Sequence, residues 1–320
     1  MAMKANRTLL FLLFLVALAS CRKEDPVDPE MGDVPSQSAD TDSACIVGTL
    51  SLEAIKLSSE AGNNARTKGL DLDLAGTGAL NAYWRESEKV YVFKTGPVLG
   101  FLNVNPYDGE KPVTAFLTGS IDAEGLAVNQ NLTLLTPRSI WSYLGQNGTL
   151  TGANSIEEDY DYALATVTVA SIAGGELKTA ANASFKNQQS IYRFGFKSGG
   201  NYIDPKSITI NANGGKLVQS INYVAGDWTP VYGVLPFTPA PAPADHFYYF
   251  SLRNDRTADD TYTFLMTGPD NALYLATKVI PASLLDAPGK FISAKEIAAV
   301  KADFSPVSSG SILIHADNVL

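Results

Sequence analysis

The side chains that most often do chemistry in proteins are scarce in this sequence. The 320 residues include two histidines, His246 and His315, and two cysteines, Cys21 and Cys45. A Ser-His-Asp triad needs a histidine, yet each one stands in or beside a strand-like run and neither has a G-x-S-x-G partner. We interpret both as edge or surface imidazoles, and no Cys/His cluster has the spacing of a zinc site.

Three further patterns could bind a ligand, and each also has a structural interpretation. The acidic run EEDYDY, residues 157–162, lacks the glycine and spacing of a calcium loop, so we expect a solvated strand start. AGTGAL, residues 75–80, has no Lys-Ser and no helix after it, as a phosphate loop requires. Tyr248, Tyr249 and Phe250 could line a glycan site, although aromatic strand residues usually belong to the core. The sequence predicts no enzyme and no cofactor or metal.

Composition narrows the class of protein further. Apolar residues make up 45% of the chain and charged residues 18%, which is enough apolar material for packed cores. The formal net charge is -9, so phosphate backbones repel the chain and we expect no nucleic-acid partner. The length favours two domains.

The N-terminus is typical of a secretory leader. Lys4 and Arg7 precede an apolar run that is too short to span a bilayer, and the leader ends in LASC. LASC resembles a bacterial lipobox, which implies a signal peptide over residues 1–20 and an acylated Cys21 that anchors the protein. An ordinary cleaved signal, in which Cys21 is incidental, is the alternative. Residues 21–44 are rich in Pro, Asp and Ser and predict a flexible tether.

The elements that would position any site are short strands at roughly ten-residue spacing. This pattern predicts an all-β fold of antiparallel β-sandwiches. A glycine-bearing, weakly patterned stretch at 173–183 suggests a division into an N-terminal domain, 45–177, and a C-terminal domain, 178–320. Strand-like runs follow a first strand at about 46–57; they lie at 89–93, 113–119, 131–135, 163–172, 190–197, 207–211, 216–222, 246–253, 261–268, 272–280 and 311–315.

Four segments have a more particular pattern. In TLSLEAIKL, Leu50, Leu52 and Ala54 share one face, and the apolar positions then slip to Ile55 and Leu57, which predicts a bulge or a strand leaving its sheet. TPRSIWSYL, 136–144, predicts a short helix capped by its threonine. SAKEIAAV, 293–300, fits either a helix or a turn into a strand, and LPFTPAPAPADHF, 235–247, predicts a long loop.

Seven segments form an ordered set along the chain: LASC, GNNARTKG (62–69), AYWRESEKVYVF (82–93), YDYALATVTV (160–169), SFKNQQSIYRFGF (184–196), LYLATKVI and GKFISAKEI (289–297). Together they resemble the fimbrillin family, the lipoprotein-derived subunits of type V pili. The resemblance implies two transthyretin-like β-sandwich domains and a precursor that travels to the outer membrane. There an arginine-specific protease cuts a loop after the first strand, that strand leaves, and a strand of another subunit fills its groove.

The segment GNNARTKG suits such a cut. Its small, polar and glycine residues predict an exposed loop, and Arg66 is the long cation that the protease needs, so we expect cleavage between Arg66 and Thr67. Lys68 is a second candidate if the protease also accepts lysine. The displaced strand would leave a groove where Leu50, Leu52 and Ala54 had been. A polar hairpin loop with no processing is the alternative.

The C-terminus leaves two interpretations open. Ile312, Ile314 and Ala316 alternate on one face. They could belong to a donor strand, or to the last strand of the second domain of a tip or accessory subunit.

The leading hypothesis is a structural or adhesive subunit of a cell-surface pilus, joined to other subunits by donor-strand exchange. Its expected partners are other pilus subunits, the processing protease, the outer membrane through the lipid anchor, and a host or glycan receptor. The second hypothesis is an uncut, surface-anchored glycan-binding lipoprotein. A hydrolase on a β-sandwich is a third, and it would need a carboxylate pair facing one cleft.

Overall fold

The computed structural model describes residues 46–57, 70–72, 78–79, 81–107, 109, 112–224, 227–240, 243–285 and 288–302. Several predicted features therefore lie outside the described residues. They are the leader and tether with Cys21 and Cys45, the loop with Arg66, Thr67 and Lys68, and the C-terminal segment with Ile312, Ile314, His315 and Ala316.

The described chain is built almost entirely of strands, which confirms the all-β prediction. Those of the first half are β1 Val47–Leu57, β2 Leu70–Asp71, β3 Gly78–Ala79, β4 Asn81–Ala82, β5 Lys89–Phe93, β6 Val98–Pro106, β7 Thr114–Asp122, β8 Asn131–Thr136, β9 Trp141–Ser142, β10 Ala163–Ala173, β11 Glu176–Thr179 and β12 Ala183–Asn187.

The second half continues the pattern. Its strands are β13 Ser190–Ser198, β14 Asn201–Tyr202, β15 Ser207–Ala212, β16 Val218–Val224, β17 Asp227–Tyr232, β18 Leu235–Phe237, β19 Tyr248–Leu252, β20 Asp260–Thr267, β21 Leu273–Ile280 and β22 Lys290–Lys301. One π-helical turn, Ile156–Tyr160, and one α-helical turn, α1 Ala282–Leu285, are the helical elements of the described residues. No helix among them is long and apolar enough to cross a bilayer.

The first sheet closes on itself. Its strand order is β11-β1-β12-β10-β8-β5-β6-β7, and β7 in turn pairs with β1. β11 and β12 together fill one place between β1 and β10, because each pairs with both of those strands. β1 is antiparallel to β7 but parallel to β11 and β12, so the sheet is mixed where the sequence predicted an antiparallel one.

The interior of this sheet is filled by the inward-facing residues of its strands. Leu50, Leu52 and Ala54 of β1 belong to this cluster, together with Val90, Leu102, Leu117, Leu134, Val167 and Phe185 of the other strands. Trp84 covers the cluster near the end of β1 and meets Phe185 edge-to-face at 5.1 Å. β1 therefore supplies part of the core, and does not lie on its outside.

The second sheet follows the order β14-β13-β22-β21-β20-β15-β18. In addition, β19 pairs with β13, and β3 pairs with β22. Its core is aromatic, and the ring of Phe194 contacts those of Phe264 and Phe250 at centroid distances of 5.2 and 5.7 Å. The chain passes from the first sheet to the second between Asn187 and Ser190. The division at residues 177 and 178 and the transthyretin-like character of the domains remain predictions.

Three local predictions need correction, and the first is the slip in β1. Inward and outward positions alternate without a break from Gly48 to Lys56, and the pairing with β7 has no register shift. Lys56 occupies the inward position that the sequence assigned to a neighbouring apolar residue, because a buried partner neutralises it, as described below.

The segment 136–144 is not a helix. Thr136 ends β8, and Trp141 and Ser142 form β9 beside β16. Trp141 and Tyr143 are both buried, so the segment follows the two-residue period of a strand.

The third correction concerns the acidic segment 157–162, which is not a solvated strand start. Glu157 and Asp161 are buried around the π-helical turn, where each accepts a hydrogen bond. The segment 293–300, which had two interpretations, lies in β22, and the predicted loop 235–247 begins with the short strand β18.

Candidate functional site

The candidate site is the place that β1 occupies in the first sheet, which we call the β1 slot. Its two walls are β7 on one side and β11 with β12 on the other. Residues Val47–Ile55 pair with Thr114–Asp122 of β7, and Ala54–Leu57 pair with 183–186 of β12. Removing β1 would therefore expose unpaired backbone groups on both walls.

The inward face of the slot accepts side chains of a defined size. Leu50, Leu52 and Ala54 are at most 5% exposed. At Gly48, an added Cβ would lie 2.2 Å from Cδ1 of Leu177, which is itself buried. The slot thus has room for two large aliphatic side chains and one alanine, and at Gly48 it has no room for any side chain unless Leu177 moves.

The last inward position holds a charge in place of an apolar group. Nζ of Lys56 lies 2.7 and 3.0 Å from the two carboxylate oxygens of Glu88 and donates to the Tyr83 carbonyl at 3.2 Å. It also lies 4.6 Å from the ring centroid of Trp84. Both members of the ion pair are buried, with side-chain exposures of 3% and 2%. The three ammonium protons of Lys56 therefore each have a partner.

The carboxylate of Glu88 is held by the body of the protein as well as by β1. Thr136 donates its hydroxyl to Glu88 Oε1 at 2.7 Å, and the Arg85 backbone N–H donates to Oε2 at 3.3 Å. Neither donor belongs to β1, so both of these hydrogen bonds come from the body of the protein.

Two more buried carboxyls lie near this pair. Burial raises the pKa of Asp161 to about 6, Lys56 acts to lower it, and Glu88 acts to raise it. Burial also raises the pKa of Glu157 to about 7, and the hydrogen bond from the Leu70 N–H acts in the opposite direction. Lys56 is thus a cation of β1 in a region of the body that carries several acids.

The chain that follows the predicted cleavage loop is attached to the body at Leu70. Its backbone pairs with Ala82, and its N–H donates to Glu157 Oε1 at 3.1 Å. Its side chain packs in a small cluster with Ile156, Ile191 and other buried residues. These contacts of Leu70 do not involve β1, so a cut before Leu70 would not remove them.

The predicted site residues divide into two groups. Leu50, Leu52 and Ala54 come together in the β1 slot, whereas the lipidation, cleavage and donor-strand residues lie outside the described part of the chain. The sequence prediction missed Lys56 and Glu88. One pattern in the sequence could have identified Lys56. It occupies the next even-numbered position after Leu50, Leu52 and Ala54, which all face inward.

The other candidate residues have structural contacts. Tyr248 and Phe250 are buried in the aromatic core, and Tyr249 lines a cavity of about 260 Å³ with Phe247. His246 is partly exposed, with Nδ1 2.9 Å from Asp204 and its ring stacked on Tyr202. No group of three or more His, Cys, Asp or Glu side chains with metal-binding geometry occurs among the residues that the structure describes.

No protein-family model and no curated protein sequence matches the chain. Among solved structures it is similar to a fimbrial assembly protein from Parabacteroides distasonis, with 10% identity over 85% of this chain and 100% of that chain and a TM-score of 0.31. It is also similar to the tip fimbrial protein Mfa3 from Porphyromonas gingivalis with C-terminal truncation, with 10% identity, coverages of 84% and 100%, and a TM-score of 0.33.

A third similar structure is the shaft pilin SpaA from Lactobacillus rhamnosus, with 14% identity, coverages of 82% and 99%, and a TM-score of 0.30. These neighbours are fimbrial and pilus proteins, the class that the sequence resemblance names.

Proposed function

We propose that this chain is a structural or adhesive subunit of a cell-surface pilus, in which β1 is a temporary strand that another subunit's strand replaces. The observation that supports this most is the place of β1. It contributes core residues to a closed sheet, yet it is the first described strand of the chain and is followed directly by the segment that contains Arg66.

Cleavage after Arg66 would separate β1 from the body by a single cut. The tether precedes β1, so the released piece would carry the acylated Cys21, the tether and the strand together. The body would retain Leu70 in its hydrogen bonds and its apolar cluster. It would also expose an apolar groove between two unpaired backbone edges, which is the template that strand addition uses.

The C-terminal sequence matches four of the five inward positions that an incoming strand would fill, and it differs at the fifth, that of Lys56. The inward positions of β1 that precede Lys56 are Gly48, Leu50, Leu52 and Ala54, at every second residue. Gly310, Ile312, Ile314 and Ala316 have the same order and spacing. This segment of a second subunit therefore presents side chains of the sizes that the slot accepts, including a glycine at the position that has no room.

The test is a pair of substitutions in the full-length precursor. We expect surface-sheared fibres of the native protein to contain a mature N-terminus at Thr67 and to run as multimers on unheated gels. Arg66→Ala with Lys68→Ala should abolish both the new N-terminus and the multimers. An exposed lysine outside both the loop and the β1 slot, Lys206, provides the matched control, since Lys206→Ala should leave assembly unchanged.

Two results would contradict this proposal. If the double variant assembles normally, or if the native protein is found only intact and acylated without multimers, the processing proposal is wrong. An uncut protein on the cell surface would instead favour glycan binding, for which the cavity beside Phe247, Tyr248 and Tyr249 is the candidate site.

A further inference from the structure

The β1 slot ends in a charged site that belongs to the body of the protein. Glu88 lies just before β5, and its remaining hydrogen-bond donors are the Thr136 hydroxyl and the Arg85 backbone N–H. When β1 is absent, this carboxylate therefore stays at the end of the slot, and the ammonium group that neutralised it has gone with the strand.

The other groups around the vacated position also favour a cation. The Tyr83 carbonyl accepts a hydrogen bond from Lys56 Nζ, and the ring of Trp84 lies within cation–π distance of the same atom. Asp161, which is 4% exposed, adds a second buried carboxyl. An acidic side chain placed there would meet like charge. An apolar side chain would leave Glu88 buried without a counter-ion.

We infer that Glu88 selects the strand that enters the β1 slot, by requiring a lysine or arginine at the position that Lys56 occupies in the precursor. This inference rests on the proposed strand exchange. The preferred occupant is a strand with glycine, two large aliphatic residues, alanine and a basic residue at successive inward positions. The basic residue also fixes the register, because a shift by two residues along the slot would put the charge at the buried, apolar position of Ala54.

The chain's own C-terminus fits this pattern except at the last position. Asn318 follows Ala316 by two residues and stands where Lys56 stands in β1. An asparagine can donate hydrogen bonds to Glu88, but it carries no charge. The selection therefore favours a partner strand with a basic residue there over a second copy of this C-terminus.

The experiment uses folded precursor that an arginine-specific protease has nicked after Arg66, with β1 still in place. Fluorescent peptides of the sequence 46–57 are added in three forms: native, Lys56→Met and Lys56→Glu. Strand exchange is followed by anisotropy and by native mass spectrometry. We expect the native peptide to bind at least about tenfold more tightly than the methionine peptide, and the glutamate peptide to bind most weakly.

The same peptides are then tested on the Glu88→Gln variant, with Glu86→Gln as the control, because Glu86 is exposed. The preference for lysine should vanish or reverse on Glu88→Gln and persist on Glu86→Gln. Equal binding of the lysine and methionine peptides to native protein would overturn the inference, as would a lysine preference that survives Glu88→Gln. The comparison on native protein decides the matter even if Glu88→Gln fails to fold.

Failure of the underlying proposal gives a different result. If no peptide enters the nicked protein at any concentration, strand exchange itself is wrong, and selection by Glu88 is overturned with it. If all three peptides enter equally well, strand exchange stands and only the selection is overturned.

Discussion

The buried ion pair of the β1 slot makes a quantitative prediction for stability. Lys56→Met retains much of the length of the side chain but removes the charge, so no large cavity accompanies the change. The lost interactions are the two contacts with Glu88, at 2.7 and 3.0 Å, and the bond to the Tyr83 carbonyl at 3.2 Å. Glu88 is then a buried carboxylate without a cation, and we expect the free energy of unfolding to fall by about 3–5 kcal/mol.

The assay is urea unfolding monitored by tryptophan fluorescence. Trp84 is a local reporter, since the centroid of its ring lies 4.6 Å from Nζ of Lys56. Glu88→Gln alone should cost a similar amount, because it leaves the ammonium group uncompensated. The double variant Lys56→Met with Glu88→Gln removes both charges and keeps an oxygen that accepts the hydrogen bond of the Thr136 hydroxyl. It should therefore recover about 2 kcal/mol or more relative to the sum of the single variants.

Lys186→Met is the matched control, because Lys186 is an exposed lysine on the neighbouring strand β12. It should change the stability by less than about 0.5 kcal/mol. The reasoning would be refuted if Lys56→Met stayed within about 1 kcal/mol of the native protein, or if the double variant lost the full sum of the two single losses.

Two further predictions concern the body of the protein. Burial raises the pKa of Glu157 to about 7 in the folded state. The folded state therefore binds this proton more tightly than the unfolded state. The contribution of Glu157 to stability is thus largest below about pH 4.5 and falls by about 1–3 kcal/mol as the pH rises to about 7. Glu157→Gln should flatten that part of the profile, measured by urea unfolding across pH, whereas Glu158→Gln on the exposed side should not. Gly119→Ala should lower the melting temperature by several degrees, because its Cβ would lie 2.3 Å from the Phe101 carbonyl oxygen; Gly96→Ala, with no atom within 4 Å, should leave it unchanged.

Each of these two predictions has a result that would contradict it. A pH profile of the Glu157→Gln variant as steep as that of the native protein would show that this carboxyl does not titrate as argued, since Asp161 alone would then carry the dependence. Equal melting temperatures for the two glycine variants would show that β6 and β7 can separate at Gly119 at little cost.

The strands could be predicted from the sequence because alternation is local. Leu50, Leu52 and Ala54 were assigned correctly to one face of β1. β6 was missed, because VLGFLNVNP contains glycine, asparagines and proline that interrupt the strand signal. The parallel pairing of β1 with β12 could not be predicted, because a period of two does not encode the direction of the neighbouring strand.

The site was only half predictable for a related reason. A lysine in a strand normally faces solvent, and Lys56 is buried only because Glu88 lies opposite it in the fold. That partner comes from a different part of the chain, and no local pattern connects the two residues. Likewise, the local sequence around Glu157 and Asp161 predicts a solvated acidic run. Their hydrogen-bond donors, Leu70 and Gln189, come from distant parts of the chain, so the sequence does not reveal that both carboxyls are buried.

The pairing of β1 also orders the events of folding. β1 is the first described strand to leave the ribosome, but Leu50 pairs with Gly119 and Ala54 with Ala183. β5, β6 and β7, by contrast, pair as successive hairpins with low contact order. Since closing the longer loops costs more entropy, we expect β1 to dock after its two walls exist. In this order of events the sheet is open until β1 docks, and the facing edges of β7 and β12 have no strand between them before that step.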